Sequence, residues 1–263
     1  MTRKAKQKGG NYVWLSVITV LVFLLIWEMC TDVLKLAPST ALPSPVQVVK
    51  TFIQKLWDPR PDGATLIEHM ESSVSIALTG YVLGNLVGIP LGILMAWNRK
   101  ADMFIRPLFD LIKPIPGVAW VPLTIVFFGI GMAGKAMVIF MSVFVSCVVN
   151  SYSGIRQTRT VHLWVARTFG ASNWDLLFRV ALPSALPMIF TGLRVSLAGA
   201  WSAIVAAELI ASTKGLGFMI QQCRGIYRPD VIIAGMIAIG LIGAVLTGVI
   251  GIVEKRVLKG GRW

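Results

Sequence analysis

Long apolar runs separated by short clusters of basic residues dominate this chain. A helix rises about 1.5 Å per residue, so roughly 20 apolar residues cross the hydrocarbon of a bilayer. Six stretches meet that length: 9–27, 72–98, 114–134, 136–155, 180–211 and 231–253. The fifth is interrupted only by Arg194 and Glu208. The pattern predicts an all-α membrane protein with six transmembrane helices. It divides the chain into a tail (1–11), a first transmembrane helix (12–33) and a loop (34–71). A core of five transmembrane helices (72–253) and a final tail (254–263) complete it. The first apolar stretch is long, and Trp27-Glu28-Met29-Cys30 stands where a cleavage site would fall. It reads as a retained span rather than a signal peptide.

Composition supports this reading. The 263 residues are 56% hydrophobic and only 14% charged, with mean hydropathy +0.74. That excludes a disordered chain, a collagen and a disulfide scaffold. The net charge of +13 raises the question of nucleic acid, but its placement answers it. With the N-terminus inside, sixteen Lys and Arg against four acids face the cytoplasm, and eight against six face outward. That bias sets orientation, with both termini cytoplasmic. No nucleic-acid partner is needed.

Cysteines 30, 147 and 223 and histidines 69 and 162 lack metal-ligand spacing, so neither a metal site nor a structural disulfide is expected. Residues 129–136, GIGMAGKA, approach a P-loop, but the Ser or Thr after Lys135 is missing and no strand precedes the glycines. The chain is expected to bind no ATP and to have no catalytic site of its own.

Three patterns bear on packing and transport. Gly80, Gly84, Gly88 and Gly92 recur every fourth residue and predict a close helix–helix seam, with Pro90 as a kink. Gly240, Ala244 and Gly248 repeat the theme. Arg194, Trp201 and Glu208 are seven residues apart and share one helix face, with Arg194 and Glu208 about 21 Å apart. Charges within a membrane normally face a bundle interior or water. The face is therefore either a pathway lining, with Trp201 as a constriction, or a pair of charged anchors.

Two segments outside the bilayer are structured. Ser44-Pro45 reads as a helix start, followed by Val46, Val49, Phe52, Ile53 and Leu56 at helical spacing. This predicts an amphipathic helix on the outer surface. Inside, 161–169 forms a short helix, Gly170 breaks it, and Ser172-Asn173-Trp174-Asp175 is a capping box that starts another. Trp174, Leu177 and Phe178 are expected on one face, and Pro183 stops or redirects that helix. A few residues suffice to join two spans, so such a knob points to a cytoplasmic partner.

This loop carries a resemblance. Residues 164–187, WVARTFGASNWDLLFRVALPSALP, resemble the EAA loop of ABC-importer permeases. Ala166, Gly170, Leu182 and Pro183 match; Trp164 replaces the usual Glu and Val165 an Ala. LPSP at 42–45, HMESSVSIALTGYVLGNLVGIPLGILM at 69–95, KPIPGVAWVPLTIVFFGIG at 113–131 and WSAIVAAELIASTKGLGFMI at 201–220 narrow the likeness to the taurine, alkanesulfonate and nitrate group. The resemblance implies a type I importer permease fold in a bacterial-type cytoplasmic membrane. It implies a second permease copy, two ATPase subunits that hold ATP and Mg, and an extracytoplasmic binding protein that delivers a small anion or zwitterion. It makes 156–183 the coupling loop, with contacts at Trp164, Ala166, Phe169, Gly170, Ala171, Ser172, Asp175, Leu182 and Pro183. It puts an outer gate at 208–219, so that Arg194, Trp201, Glu208, Lys214 and Met219 are the path and gate candidates. A secondary transporter driven by an ion gradient is the alternative, though no internal repeat marks one.

Overall fold

The computed structural model describes residues 13–36, 38 and 41–259, and every regular element among them is helical. The expected inner tail 1–11, with its four basic residues, lies outside them, as do 260–263.

Helix α1, Val13–Glu28, continues through a π turn, Met29–Val33. Its aliphatic side chains are exposed around the whole circumference, as suits a helix surrounded by lipid. The Trp27 indole ties it to the rest by donating to the Pro43 carbonyl at 3.1 Å.

Helix α2, Pro45–Lys55, starts as expected, with the Ser44 side chain accepting from the Gln47 amide. Its apolar stripe divides, however. Val48, Thr51 and Lys55 turn inward, while Val46, Val49 and Ile53 stay exposed.

Helix α3, Leu66–Trp97, begins six residues before the predicted span, on a Thr65–Glu68 capping box. It runs unbroken through Pro90. Its glycine seam lies against α6, Met132–Arg156. A Cβ on Gly80 would stand 2.6 Å from Ile139 Cβ, and one on Gly84 2.6 Å from Val143 Cγ1. One on Gly88 would meet Cys147 Cβ at 2.9 Å, and one on Gly92 the Val148 carbonyl at 2.6 Å. Each step of four on α3 meets a matching step on α6, so the two backbones approach as closely as the missing side chains allow.

The third span departs from expectation. Residues 99–113 were read as loop and 114–134 as one helix. Instead α4, Arg99–Ile112, is capped by Asn98 and is followed by a 3₁₀ turn, Gly117–Trp120, and α5, Val121–Phe128. The two halves meet at 83°. Pro114 and Pro116 force this break: neither has an amide hydrogen to donate, and each disfavours helical geometry in the residue before it. The broken pair still traverses the length of α6. Arg106 bonds Tyr152, Phe109 packs edge-on to Phe144 at 6.2 Å, Gly117 abuts Ser142, and Thr124 lies beside Gly134.

Beyond α6 come α7, Thr160–Thr168, and α8, Asn173–Asp175. A π turn, Leu176–Ala181, leads directly into α9, Leu182–Ile210. Pro183 therefore does not stop this helix. It sits in the first turn of α9, where the missing amide hydrogen costs nothing, and the chain is helical from Asn173 to Ile210. Helix α9 meets α6 at small residues: a Cβ on Gly192 would reach Asn150 Cβ at 2.7 Å, and one on Gly154 Met188 Cβ at 3.0 Å.

Helices α10, Leu216–Gly225, and α11, Pro229–Lys259, complete the bundle. Helix α11 approaches its neighbours through Gly235, beside Met219, and Gly243, beside Trp201. The expected seam at Gly240, Ala244 and Gly248 is exposed, and Cβ atoms on the two glycines would meet nothing within 4 Å.

Candidate coupling surface and gate

The α7–α8 segment projects from one end of the bundle. Gly170 joins the helices at φ +82°, a left-handed conformation that glycine adopts without a steric penalty. The Gly170 amide donates to Arg167 and the Ala171 amide to Ala166, which closes the turn. Ser172 and Asp175 form the capping box, exchanging backbone and side-chain hydrogen bonds at 3.2 Å. The local sequence thus fixes the knob with little help from the core.

The knob presents aromatic rings outward. Phe169 is 87% exposed, Trp174 71% and Trp164 65%, with Val161, Val165 and Phe178 also open. Trp174 stacks on Phe178 with centroids 5.7 Å apart. Leu177 was expected to share their face but turns into the core with Ile155, Ala181 and Ala185. The π turn is the reason: its wider ring rotates Leu177 away from the Trp174–Phe178 pair. Ala166 and Asp175 are half-buried, and so are Leu182 and Pro183, where α9 begins.

At the far end, the 211–217 turn is bound to its neighbours. Glu208 is 1% exposed. Its carboxylate accepts from the Ser73 hydroxyl at 2.8 and 2.9 Å and from the Gly217 amide at 2.9 Å. Ser73 in turn accepts from the Leu216 amide, and His69 Nδ1 accepts from the Gly215 amide at 3.0 Å. Gly215 has φ +134°, and a Cβ there would lie 2.2 Å from the Glu208 carboxylate. The turn therefore needs glycine at this position.

A second buried group continues the network. His69 Nε2 lies 2.7 Å from Asp62 Oδ2, and Asp62 also pairs with Lys55. The Lys55 ammonium, 2% exposed, donates to the carbonyls of Arg60 at 3.0 Å and Ala64 at 2.7 Å. Burial pushes the Asp62 carboxyl up, but the His69 hydrogen bond and the Lys55 charge outweigh it and hold the group below its usual value. Thr51 of α2 donates to Asp230 of α11 at 2.9 Å, and Asp230 is bracketed by Arg228.

The shared face of Arg194, Trp201 and Glu208 exists; Trp201 and Glu208 are buried on it and Arg194 is exposed. Arg194 pairs with Glu254 of α11. The Trp201 indole donates to the Ile239 carbonyl at 3.0 Å. Glu208 holds the 215–217 turn. Met219 is wholly buried in the core cluster. Lys214 lies 3.4 Å from Glu68 at the exposed rim. The periodicity placed Arg194, Trp201 and Glu208 on one face; the packing buries Trp201 and Glu208 and leaves Arg194 exposed beside α11.

Sequence reasoning missed Lys55, Asp62, His69 and Ser73. One signal was available: His69 and Ser73 are four residues apart and Gly80 follows seven residues later, so all lie on nearly one face of α3. The partners of Ser73 and the Nδ1 partner of His69 lie more than a hundred residues away on the 208–217 segment, while Lys55, Asp62 and His69 meet through a loop with no regular period.

Comparison with known proteins agrees with this geometry. Residues 88–259 match the family described as "Binding-protein-dependent transport system inner membrane component". The taurine transport system permease protein TauC of Escherichia coli is 34% identical, over 90% of this chain and 86% of that protein. The bicarbonate transport system permease protein CmpB of Synechococcus elongatus is 31% identical, over 98% of this chain and 93% of that one. Among solved structures, the fold is similar to a chain of the inward-facing MetNI methionine ABC transporter. The TM-score is 0.62 at 18% identity, covering 74% of this chain and 95% of that chain.

Proposed function

Because this chain belongs to the family of binding-protein-dependent transport system inner membrane components, we propose that its aromatic knob seats a cytoplasmic ATPase subunit. The chain is the permease subunit of an ABC importer, a multi-pass membrane component. The observation that carries the docking proposal is the exposure of Trp164, Phe169, Trp174 and Phe178 on one rigid, capped turn. Apolar rings held in water mark a contact surface, and such anchors dominate the energetics of protein interfaces.

The knob end and both termini then face the cytoplasm, as the basic residues require. ATP and Mg belong to the partner subunits, which hydrolyse the nucleotide. A second permease copy, most simply an identical one, completes the path, and an extracytoplasmic binding protein delivers the solute to the α2 end. Drawing the ATPases together pulls on the α7–α8 segment, which continues without interruption into α9. The pull reaches Glu208 at the other end of that helix, and the 211–217 turn acts as the outer gate.

TauC and CmpB carry in their names solutes that bear an acidic oxyanion group. A small anion or zwitterion of the taurine, alkanesulfonate or nitrate class is therefore the proposed cargo. Purification in mild detergent, with the intact assembly weighed by native mass spectrometry, tests the reading. Two copies of this chain with two ATPase-sized chains support it. A chain that never retains an ATPase, whatever the detergent, overturns it.

A further inference from the structure

The broken third span opens a cleft halfway through the bundle. It measures about 310 Å³ and is bordered by Lys113 and the 115–118 backbone on one side. Ser142 and Val145 of α6 and Gly199 and Ser202 of α9 border the other. Ser142 lies ten residues from the start of α6, about 15 Å along its axis, and Ser202 eight residues from the end of α9, about 12 Å. Both distances place the cleft near the middle of a hydrocarbon layer about 30 Å thick.

Two physical arguments give this cleft a role. Irregular backbone at such depth is tolerated only where protein buries it or where it lines a watery cavity. Here Lys113, Pro114, Ile115 and Pro116 are all exposed. An ionisable side chain in the membrane is costly unless it has work to do. Lys113 is the sole charged residue bordering the cleft, and it has no carboxylate within 4 Å among the described residues. Its neighbours at the knob end differ. Asp110 and Arg106 border a smaller cleft of about 170 Å³ that shares Lys113, and there Arg106 is neutralised by Asp102 at 2.8 Å.

We propose that this cleft is a transient binding site for the oxyanion group of the transported solute, with the Lys113 ammonium as its counter-charge and the exposed Ser202 hydroxyl as a hydrogen-bond donor. The inference rests on the importer reading and adds to it a site within the membrane. The ammonium offers a point charge to any small oxyanion without demanding one geometry. Such a site slows an anion only briefly, as passage requires.

The test uses the complete importer in proteoliposomes, with Cys30→Ser and Ser202→Cys introduced; Cys147 and Cys223 are buried. Two thiol reagents of similar size, one bearing a sulfonate and one an ammonium, report the field in the cleft. The sulfonate reagent is expected to react about tenfold faster, and taurine or methanesulfonate to slow it. Lys113→Gln removes the preference and Lys113→Arg keeps it. ATP-driven uptake of the same solutes is expected to fall about tenfold in Lys113→Gln and to recover in Lys113→Arg. Equal reagent rates with Lys113 present, or uptake unaltered by Lys113→Gln, overturn the inference. Failure of the importer reading is distinct: the unsubstituted complex would then show no ATP-driven uptake of any small anion.

Discussion

The two ends of this bundle solve opposite problems with similar residues. At the α2 end, charged groups are buried and each finds its partner within the chain: Lys55 with Asp62, Asp62 with His69, and Glu208 with Ser73 and Gly217. At the knob end, apolar rings are exposed and find no partner beyond one another. The first arrangement is complete within one chain; the second leaves its rings open, as the proposed ATPase docking needs. Burial alone therefore does not locate function here. The open surface is the proposed docking site, and the buried network holds the segment proposed as the gate.

The strongest way to break the comparison is at Asp62. Asp62→Asn leaves the buried Lys55 ammonium without its counter-charge, and breaking such a pair costs about 3–5 kcal/mol. Thermal unfolding in detergent checks this. A cost below 1 kcal/mol would mean the far end is not locked by charge. At the knob, Phe169→Ala or Trp174→Ala is expected to weaken ATPase retention by about 2 kcal/mol, roughly thirtyfold in affinity. Its effect on the stability of the isolated chain is expected to stay within about 0.5 kcal/mol. Co-purification yield and melting temperature separate the two effects, and a knob substitution that unfolded the chain would erase the contrast between the ends.

Glu208→Gln is a smaller perturbation. The amide keeps one oxygen but sets a donor against the Ser73 hydroxyl or the Gly217 amide, a cost of about 1–3 kcal/mol. Looser closure of the 211–217 turn follows, read as uptake that falls while ATPase activity no longer depends on the binding protein. Full uptake with normal stimulation would leave Glu208 as a structural anchor. The least effect is expected from pH. The Asp62 carboxyl titrates below its usual 3.8 in the folded chain. Its contribution is complete above that value and is lost as the pH falls through the depressed folded value. An acid transition that persists unchanged in Asp62→Asn would assign it to another group.

Much of the architecture was legible in the chain itself. Apolar run length set the number of crossings, because a bilayer fixes how many residues a span needs. The four-residue glycine spacing identified a close seam along α3, because residues four apart on a helix fall on one face. Gly170, with the Ser172–Asp175 box, located the knob, because turns and caps are made by neighbours in sequence. These signals are local or periodic. The third span shows the limit: its hydropathy passes for one straight helix, yet Pro114 and Pro116 break it.

What the sequence left undecided concerned which groups come to face one another. It could not tell that Arg194 pairs with Glu254 or that the Trp201 indole bonds the Ile239 carbonyl, nor that Lys55, Asp62 and His69 meet. It gave Gly240, Ala244 and Gly248 the same spacing as the α3 seam, yet only the α3 seam has a helix against it. The physical reason is common to all these cases. Periodicity says which residues share a face, and composition says what a face tolerates, but what lies opposite is set by how whole helices pack together.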